Sequence, residues 1–285
     1  MQKSLKLLFT LVIALLGVGG FTASAHAVTH YVQSSTPTIF VHGWGSSSHA
    51  EEKMANAARD AGVTKTIVRA NVDKKGNVTF NRQIPANAVN PIVEVNLEDN
   101  KLADYQDDYT QGYRHGGTYI KNVVVALQKQ HHYKQINLVG HSMGNLEIIN
   151  YINDNVNNKK LPKVAHLVAI AGHYNGLVGE RKAEAKVDAQ TGEPEQQDSA
   201  YRGLLGLRQT FPKNTAVLNI YGDVGDGSHS DEDVPVNSAK SLKYLVAGRA
   251  KSYQEVEIHG KNAQHSKLHN NSQVNRLLIN FLWKK

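Results

Sequence analysis

The sequence predicts an α/β protein: a mostly parallel central sheet, helices on both faces, and a polar cap or lid insertion over one end. Three observations carry this expectation. Short apolar runs such as Gln135-Ile136-Asn137-Leu138-Val139 alternate along the chain with stretches whose apolar residues recur at helical spacing. The pentapeptide Gly140-His141-Ser142-Met143-Gly144 stands between that run and the helix-patterned Asn145-Leu146-Glu147-Ile148-Ile149-Asn150-Tyr151-Ile152. Finally, the 285 residues contain no Gly- or Pro-rich linker, which suits one large core spanning residues 28–285 with an insertion at about 173–213.

Residues 1–27 read as an export signal, with Lys3 and Lys6 ahead of an apolar run and Ser24-Ala25-His26-Ala27 at its end. Small residues at Ala25 and Ala27 fit the A-x-A cleavage rule, so the mature chain is expected to begin at Val28, secreted or held at the cell envelope. The rival reading is an uncleaved anchor, but Gly17, Gly19 and Gly20 interrupt a run already short for a span. The chain has no cysteine, which excludes disulfides, a thiolate nucleophile, a Cys-type metal site and a lipoprotein anchor. Its formal net charge of +7 is spread as isolated lysines and arginines. That pattern supports weak association with an anionic envelope, and it lacks the basic, aromatic-interleaved stripe that nucleic-acid binding requires.

Taken in order, Thr36-Pro37-Thr38-Ile39-Phe40-Val41 is the first expected strand, ending in His42-Gly43-Trp44-Gly45. Residues 48–61 are Ala-rich, with Glu near the start and Gly62 beyond the end, and predict a helix. Strands follow at 64–72, 77–82 and 91–97, the first two joined across Lys74-Lys75-Gly76-Asn77. Residues 113–132 predict a long helix, with Ile120, Val123, Val124 and Leu127 on one face. After the pentapeptide and its helix come a strand at 164–171, a polar stretch at 180–199 too poor in apolar residues to be core, a strand at 215–221, a helix at 238–247, a strand at 253–258 and a closing helix at 274–283. The polar stretch reads either as part of a lid or as an uninvolved surface loop.

Strand, G-x-S-x-G, helix is the context of a nucleophile elbow. The glycines permit a sharp turn, Ser142 rises above the sheet edge, and the Met143 N–H faces a developing oxyanion. A second oxyanion donor commonly comes from the loop after an earlier strand, which assigns the Trp44 N–H. His42 and Gly43 in that loop, His141 beside the nucleophile, and Tyr174 and Asn175 beyond the strand at 164–171 are expected to contact substrate. A carboxylate is then needed after the strand at 215–221, where Asp223, Asp226, Asp231, Glu232 and Asp233 all stand. Such a loop would also suit calcium, but it lacks EF-hand spacing and the terminal Glu, so no metal is expected. Three histidines compete for the base: His259 attached to the last strand, His265 in mid-loop, and His269 near the last helix.

The succession His42-Gly43-Trp44-Gly45, Gly140-His141-Ser142-Met143-Gly144, Asp231-Glu232-Asp233-Val234-Pro235, His265-Ser266-Lys267-Leu268 resembles the α/β-hydrolase superfamily. Within it, the chain is similar to secreted hydrolases of Gram-positive bacteria. The resemblance places the acid in a D-x-x-V-P pattern, matched by Asp231, and the base in an H-S-x-L pattern, matched by His265. It implies acyl transfer without a cofactor: His265 deprotonates Ser142, Asp231 orients the imidazole, and Met143 and Trp44 hold the oxyanion. A small-molecule or lipid ester is the expected substrate. A cell-surface amidase or peptidase is the first alternative, and a non-catalytic hydrolase-fold binding module is the second.

Overall fold

The computed structural model describes residues 30–285; the expected export signal at 1–27 lies outside the described residues. Eight strands form one sheet: β1 (Thr38–Val41), β2 (Ile67–Val72), β3 (Val78–Phe80), β4 (Ile92–Leu97), β5 (Gln135–His141), β6 (Lys163–Ile170), β7 (Ala216–Asp223) and β8 (Ser252–His259). Their order is β3-β2-β4-β1-β5-β6-β7-β8. Every neighbouring pair is parallel except the β2–β3 hairpin, whose turn runs through the expected 74–77 segment.

Because successive side chains on a strand face opposite ways, each central strand feeds two cores. Ile39, Val41, Leu138, Leu167 and Val217 pack on one face, with Ile120, Val123, Val124 and Leu127 of α2 (Tyr109–Gln130) and with α3 (Met143–Asn155). Phe40, Val139, Val168, Ile170 and Leu218 pack on the other. There they meet Met54, Ala55 and Ala58 of α1 (Glu52–Asp60) and, from the chain's end, Val274, Leu278 and Trp283. Helix α3 is buried on all sides from Met143 to Ile152, since α2 covers the face turned away from the sheet. Among the described residues no helix is long and apolar enough to cross a membrane.

The remaining helices are short: α4 (Arg181–Glu184), α5 (Ser199–Leu204), α6 (Leu207–Thr210), α7 (Val236–Lys240), α8 (Leu242–Val246) and α9 (His265–Leu268), followed by the closing α10 (Ser272–Trp283). The helix expected at 238–247 is therefore two. The Tyr201 hydroxyl donates to the Ser241 carbonyl at 2.9 Å, and the Ser241 hydroxyl turns back onto the Ser238 carbonyl at 2.6 Å. A distant residue thus interrupts the ladder at the break, and local periodicity carries no trace of it. Helix α2 begins earlier than expected because the Asp108 side chain caps it, accepting from the Gln111 N–H at 3.2 Å. The expected helix at 48–61 is a 3₁₀ turn, Ser48–Ala50, leading into α1. The polar 180–199 segment is tied down by α4 and a Val187–Pro194 bridge, and contrary to expectation it buries two side chains, Ala183 and Pro194.

Glu147 on α3 is fully buried and neither carboxyl oxygen has a hydrogen-bond partner. Burial, helped by the charge of Asp99, pushes its carboxyl up to about 8. Glu51 is pushed up to about 8 by burial and by Glu94. The unfolded chain would ionise near the ordinary carboxylate value while the folded chain keeps the proton, so this stability is fully present below that value and is lost as pH rises through the folded one. Glu147→Gln, with no proton to lose, should flatten part of that decline. The difference is on the order of 3 kcal/mol between about pH 5 and about pH 7.5, read from denaturant midpoints of the two proteins. Parallel pH curves would show that Glu147 ionises inside the fold as readily as outside it.

Candidate active site

The carboxyl ends of β1, β5, β6 and β7 meet one rim of the sheet: Val41 pairs with Gly140, His141 with Ile170, and Ile170 with Ile220. Open parallel sheets place their sites at this edge, and a cleft of about 880 Å³ opens there.

Ser142 follows β5 with φ of 51° and ψ of −125°, a backbone conformation that few non-glycine residues adopt. The turn is fastened from three sides. The Ser142 N–H donates to the Ile170 carbonyl at 3.0 Å, and the Asn145 N–H returns to the Ser142 carbonyl at 3.0 Å. The Asn145 side-chain amide bridges the Ser142 and Ile170 carbonyls at 3.1 and 2.8 Å. Gly144 and Gly43 are required by close approach: a Cβ on Gly144 would overlap the Val41 carbonyl, and one on Gly43 would stand 2.8 Å from the Ser142 Cβ. The loop after β1 is thereby laid against the serine, and Gly43, Trp44, Ser142 and Met143 share the cleft wall.

Three side chains distant in sequence converge at this point. His265 Nε2 lies 2.9 Å from Ser142 Oγ, and its Nδ1 lies 2.9 Å from Asp231 Oδ2. All three are buried or nearly so. A carboxylate can only accept, so the network assigns the proton to Nδ1 and leaves Nε2 free to accept from the serine hydroxyl. The other Asp231 oxygen accepts from the backbone N–H groups of Asp233 and Val234 at 3.0 and 2.7 Å, while the His265 N–H donates to the Asp231 carbonyl at 2.8 Å. Burial disfavours the His265 imidazolium. The hydrogen bond and charge of Asp231 outweigh it, aided by Asp233, whose carboxylate lies 3.9 Å from Nε2, so its pKa is raised above the ordinary value.

Two of the other loop acids, Asp226 and Asp223, are occupied elsewhere. Asp226 accepts from the Ser228 N–H at 2.9 Å, and Asp223 accepts from the Gly225 N–H at 2.8 Å and lies 3.4 Å from His229. Asp223, Glu257 and His259 bring three potential metal-ligand atoms within 4.8 Å of one another, at the carboxyl ends of β7 and β8 and so on the same rim as Ser142 but toward the β8 edge of the sheet. His259 is exposed and faces Glu257 at 3.7 Å. His269 packs edge-on against His141, ring centroids 4.8 Å apart.

Three of the expected substrate contacts stand elsewhere. His42 is fully buried: its Nε2 accepts from the Leu97 N–H at 3.1 Å and its Nδ1–H donates to the Gly43 carbonyl at 2.8 Å, so it braces the ends of β1 and β4. Asn175 spends its side chain on the insertion, donating to the Lys182 and Gln196 carbonyls at 2.8 Å each and accepting from the Asp198 N–H at 3.0 Å. Tyr174 is buried in the core over Gly172. His141 does line the cleft, yet its Nε2–H is committed to the His265 carbonyl at 3.1 Å.

Sequence reasoning missed the cleft's opposite wall. Tyr109 stacks on Tyr113, whose hydroxyl lies 3.1 Å from His173 Nε2. His173 is buried and held down to about 3 by burial, with His265 adding, so it is neutral. The four-residue spacing of Tyr109 and Tyr113 is the available signal: it puts two aromatic rings on one side of a helix start.

A family model described as "Alpha/beta hydrolase of unknown function (DUF915)" matches residues 25–285. No curated protein matches the chain significantly. Among solved structures, the chain is similar to the lin2722 gene product of Listeria innocua, at 23% identity with a TM-score of 0.77, over 87% of this chain and 94% of that one. It is also similar to a candidate cell surface hydrolase from Lactobacillus plantarum, at 18% identity with a TM-score of 0.63, over 87% and 89% of the two chains.

Proposed function

Since the chain belongs to the alpha/beta hydrolase family of unknown function (DUF915), we propose that it is a serine hydrolase that cleaves carboxylic esters through an acyl-enzyme on Ser142. The observation that carries this reading is the continuous relay of two 2.9 Å hydrogen bonds from Ser142 to His265 to Asp231 at the wall of a cleft.

In the first step Ser142 Oγ bonds to the acyl carbon while its proton passes to His265 Nε2. The carbonyl π pair moves onto oxygen, where the N–H groups of Met143 and Trp44 stabilise it. On collapse, the bond to the alcohol oxygen breaks with its electron pair, and His265 returns the proton to that oxygen. Water then repeats the sequence, with its proton on Nε2 and its oxygen on the acyl carbon, releasing the acid and restoring Ser142. Asp231 keeps the proton on Nδ1 throughout and balances the transient imidazolium. Export directed by residues 1–27 belongs to the same reading and would deliver the enzyme to the envelope or beyond.

Labelling by a fluorophosphonate tests the reading: wild type should acquire one adduct on Ser142, and no adduct under conditions where the fold is intact would end it. A pH profile adds a second check. The base works only when neutral, so kcat/KM should fall as pH drops through the His265 value, which lies above the usual 6.5 of an imidazole. Asp233→Asn removes a charge that favours the imidazolium, and the acid limb should then move to lower pH. A limb that stays in place would show that Asp233 does not act on His265.

A further inference from the structure

The chain as a whole is basic, at a formal +7, but its cleft is not. Asp107, Asp108, Glu180, Asp198, Glu232 and Asp233 line it, and among the described residues no lysine or arginine does. These carboxylates come from three separate parts of the chain: the turn before α2, the insertion, and the loop after β7. Two of them have local duties, since Asp108 caps α2 and Asp198 caps α5. Lys182 and Arg202 also act on Asp198. The other four have no such partner in the cleft. Asp233 is the one that matters most: it is 61% exposed, and its carboxylate lies 3.9 Å from the His265 nitrogen that faces Ser142. Glu232, beside it, is held at φ of 84° on the same lip.

The remaining histidines do not neutralise this field. His141, His173 and His269 line the cleft, and burial, the largest influence on each, lowers all three. The cation nearest the Trp44 lip, Lys101, sits over the indole ring at 4.7 Å and is not part of the lining. Opposite, the partly exposed Tyr109 ring stacks on Tyr113, an aromatic wall whose faces attract a cation. A concave, low-dielectric wall carrying one sign of charge concentrates the opposite sign at its floor.

Resting on the serine-hydrolase reading, we propose that the cleft is built for acyl substrates that carry a positive charge, an ammonium-bearing ester or amide, with Asp233 reading that charge beside the scissile bond. Anionic substrates are turned away by the same carboxylates.

Three p-nitrophenyl phosphonates with identical leaving groups test this, their alkyl arms ending in trimethylammonium, in the isosteric neutral tert-butyl, or in carboxylate. In each, a bond forms between Ser142 Oγ and phosphorus, nitrophenolate leaves with its electron pair, and the serine proton goes to His265; absorbance gives the rate and mass spectrometry the adduct. Dividing each rate by that of the neutral arm removes any change in the machinery itself. The cationic arm should react about tenfold faster than the neutral one at low salt, and the anionic arm more slowly than either. The preference should shrink several-fold, by about threefold or more, in molar salt, where the screening length is short, and should fall in Asp233→Asn and again when Asp107→Asn is added. Equal rates for the three arms, each labelling Ser142, would overturn the inference and leave the serine-hydrolase reading standing, as would a preference indifferent to salt and to both substitutions. No adduct with any arm would remove the reading on which the inference rests.

Discussion

Replacing Ser142 with alanine should lower kcat/KM toward an activated ester by on the order of 10⁵- to 10⁶-fold and abolish fluorophosphonate labelling. The size follows from what is removed: without Oγ no acyl-enzyme forms, and the residue of the rate comes from binding and the oxyanion donors alone. The substitution isolates chemistry from folding unusually well. Alanine keeps the Cβ that Gly43 approaches, the N–H that reaches the Ile170 carbonyl and the carbonyl held by Asn145, and it adds no strain at φ of 51° beyond what serine already carries. Stability should therefore change by less than about 1 kcal/mol, checked by thermal melting beside the turnover assay. Wild-type turnover in the folded alanine variant would exclude Ser142 as nucleophile.

Asp231→Asn should cost about 10⁴ in rate. An asparagine amide can donate toward His265 Nδ1, and a ring that accepts there carries its proton on Nε2, where it cannot take one from serine. The neighbouring aspartates should behave differently. Asp226→Asn keeps an oxygen for the Ser228 N–H and touches nothing in the cleft, so its rate should stay within about twofold. Asp223→Asn retains an acceptor for Gly225 and loses only an interaction with the exposed His229. Turnover by the four variants, including Asp233→Asn, ranks the loop acids directly. A deeper loss at Asp223 or Asp226 than at Asp231 would reassign the carboxylate. Because Asp231 also accepts from two backbone N–H groups, its variant must be shown folded before the rate is interpreted.

What the sequence makes legible here depends on how local each cause is. The strand at Gln135–His141 and the turn after it are visible because a short apolar run, flanking glycines and the following helical period all lie within a few residues. The alternation of apolar runs with helical segments likewise announces a parallel sheet, whose crossovers must be helices. His42 was misplaced for a definite reason: it belongs to a motif near the oxyanion loop, but its partner Leu97 lies on another strand, so nothing adjacent marks it as a brace. Asn175 is the same case, with all of its side-chain partners in the insertion. The break at Ser241 depends on Tyr201, and the acidic character of the cleft depends on three loops meeting. Neither has a period or a spacing to read. The contrast between overall charge and cleft charge emerges only once side chains are sorted by location.

The topology has one more consequence, for how the molecule comes into being. Only β2 and β3 are joined by a tight turn; β1 must find β5 across 99 residues, Thr38 pairing with Asn137, with β4 taken up on its other side. Loop-closure entropy must be met before such distant contacts give anything back, which makes assembly slow and leaves apolar strands uncovered meanwhile. Ser142 directly follows the strand with that longest separation, and Asp231 and His265 come from later segments still. On the serine-hydrolase reading, a chain in which these segments have not yet met would lack an activated hydroxyl, since Ser142, His265 and Asp231 come together only across the finished sheet edge.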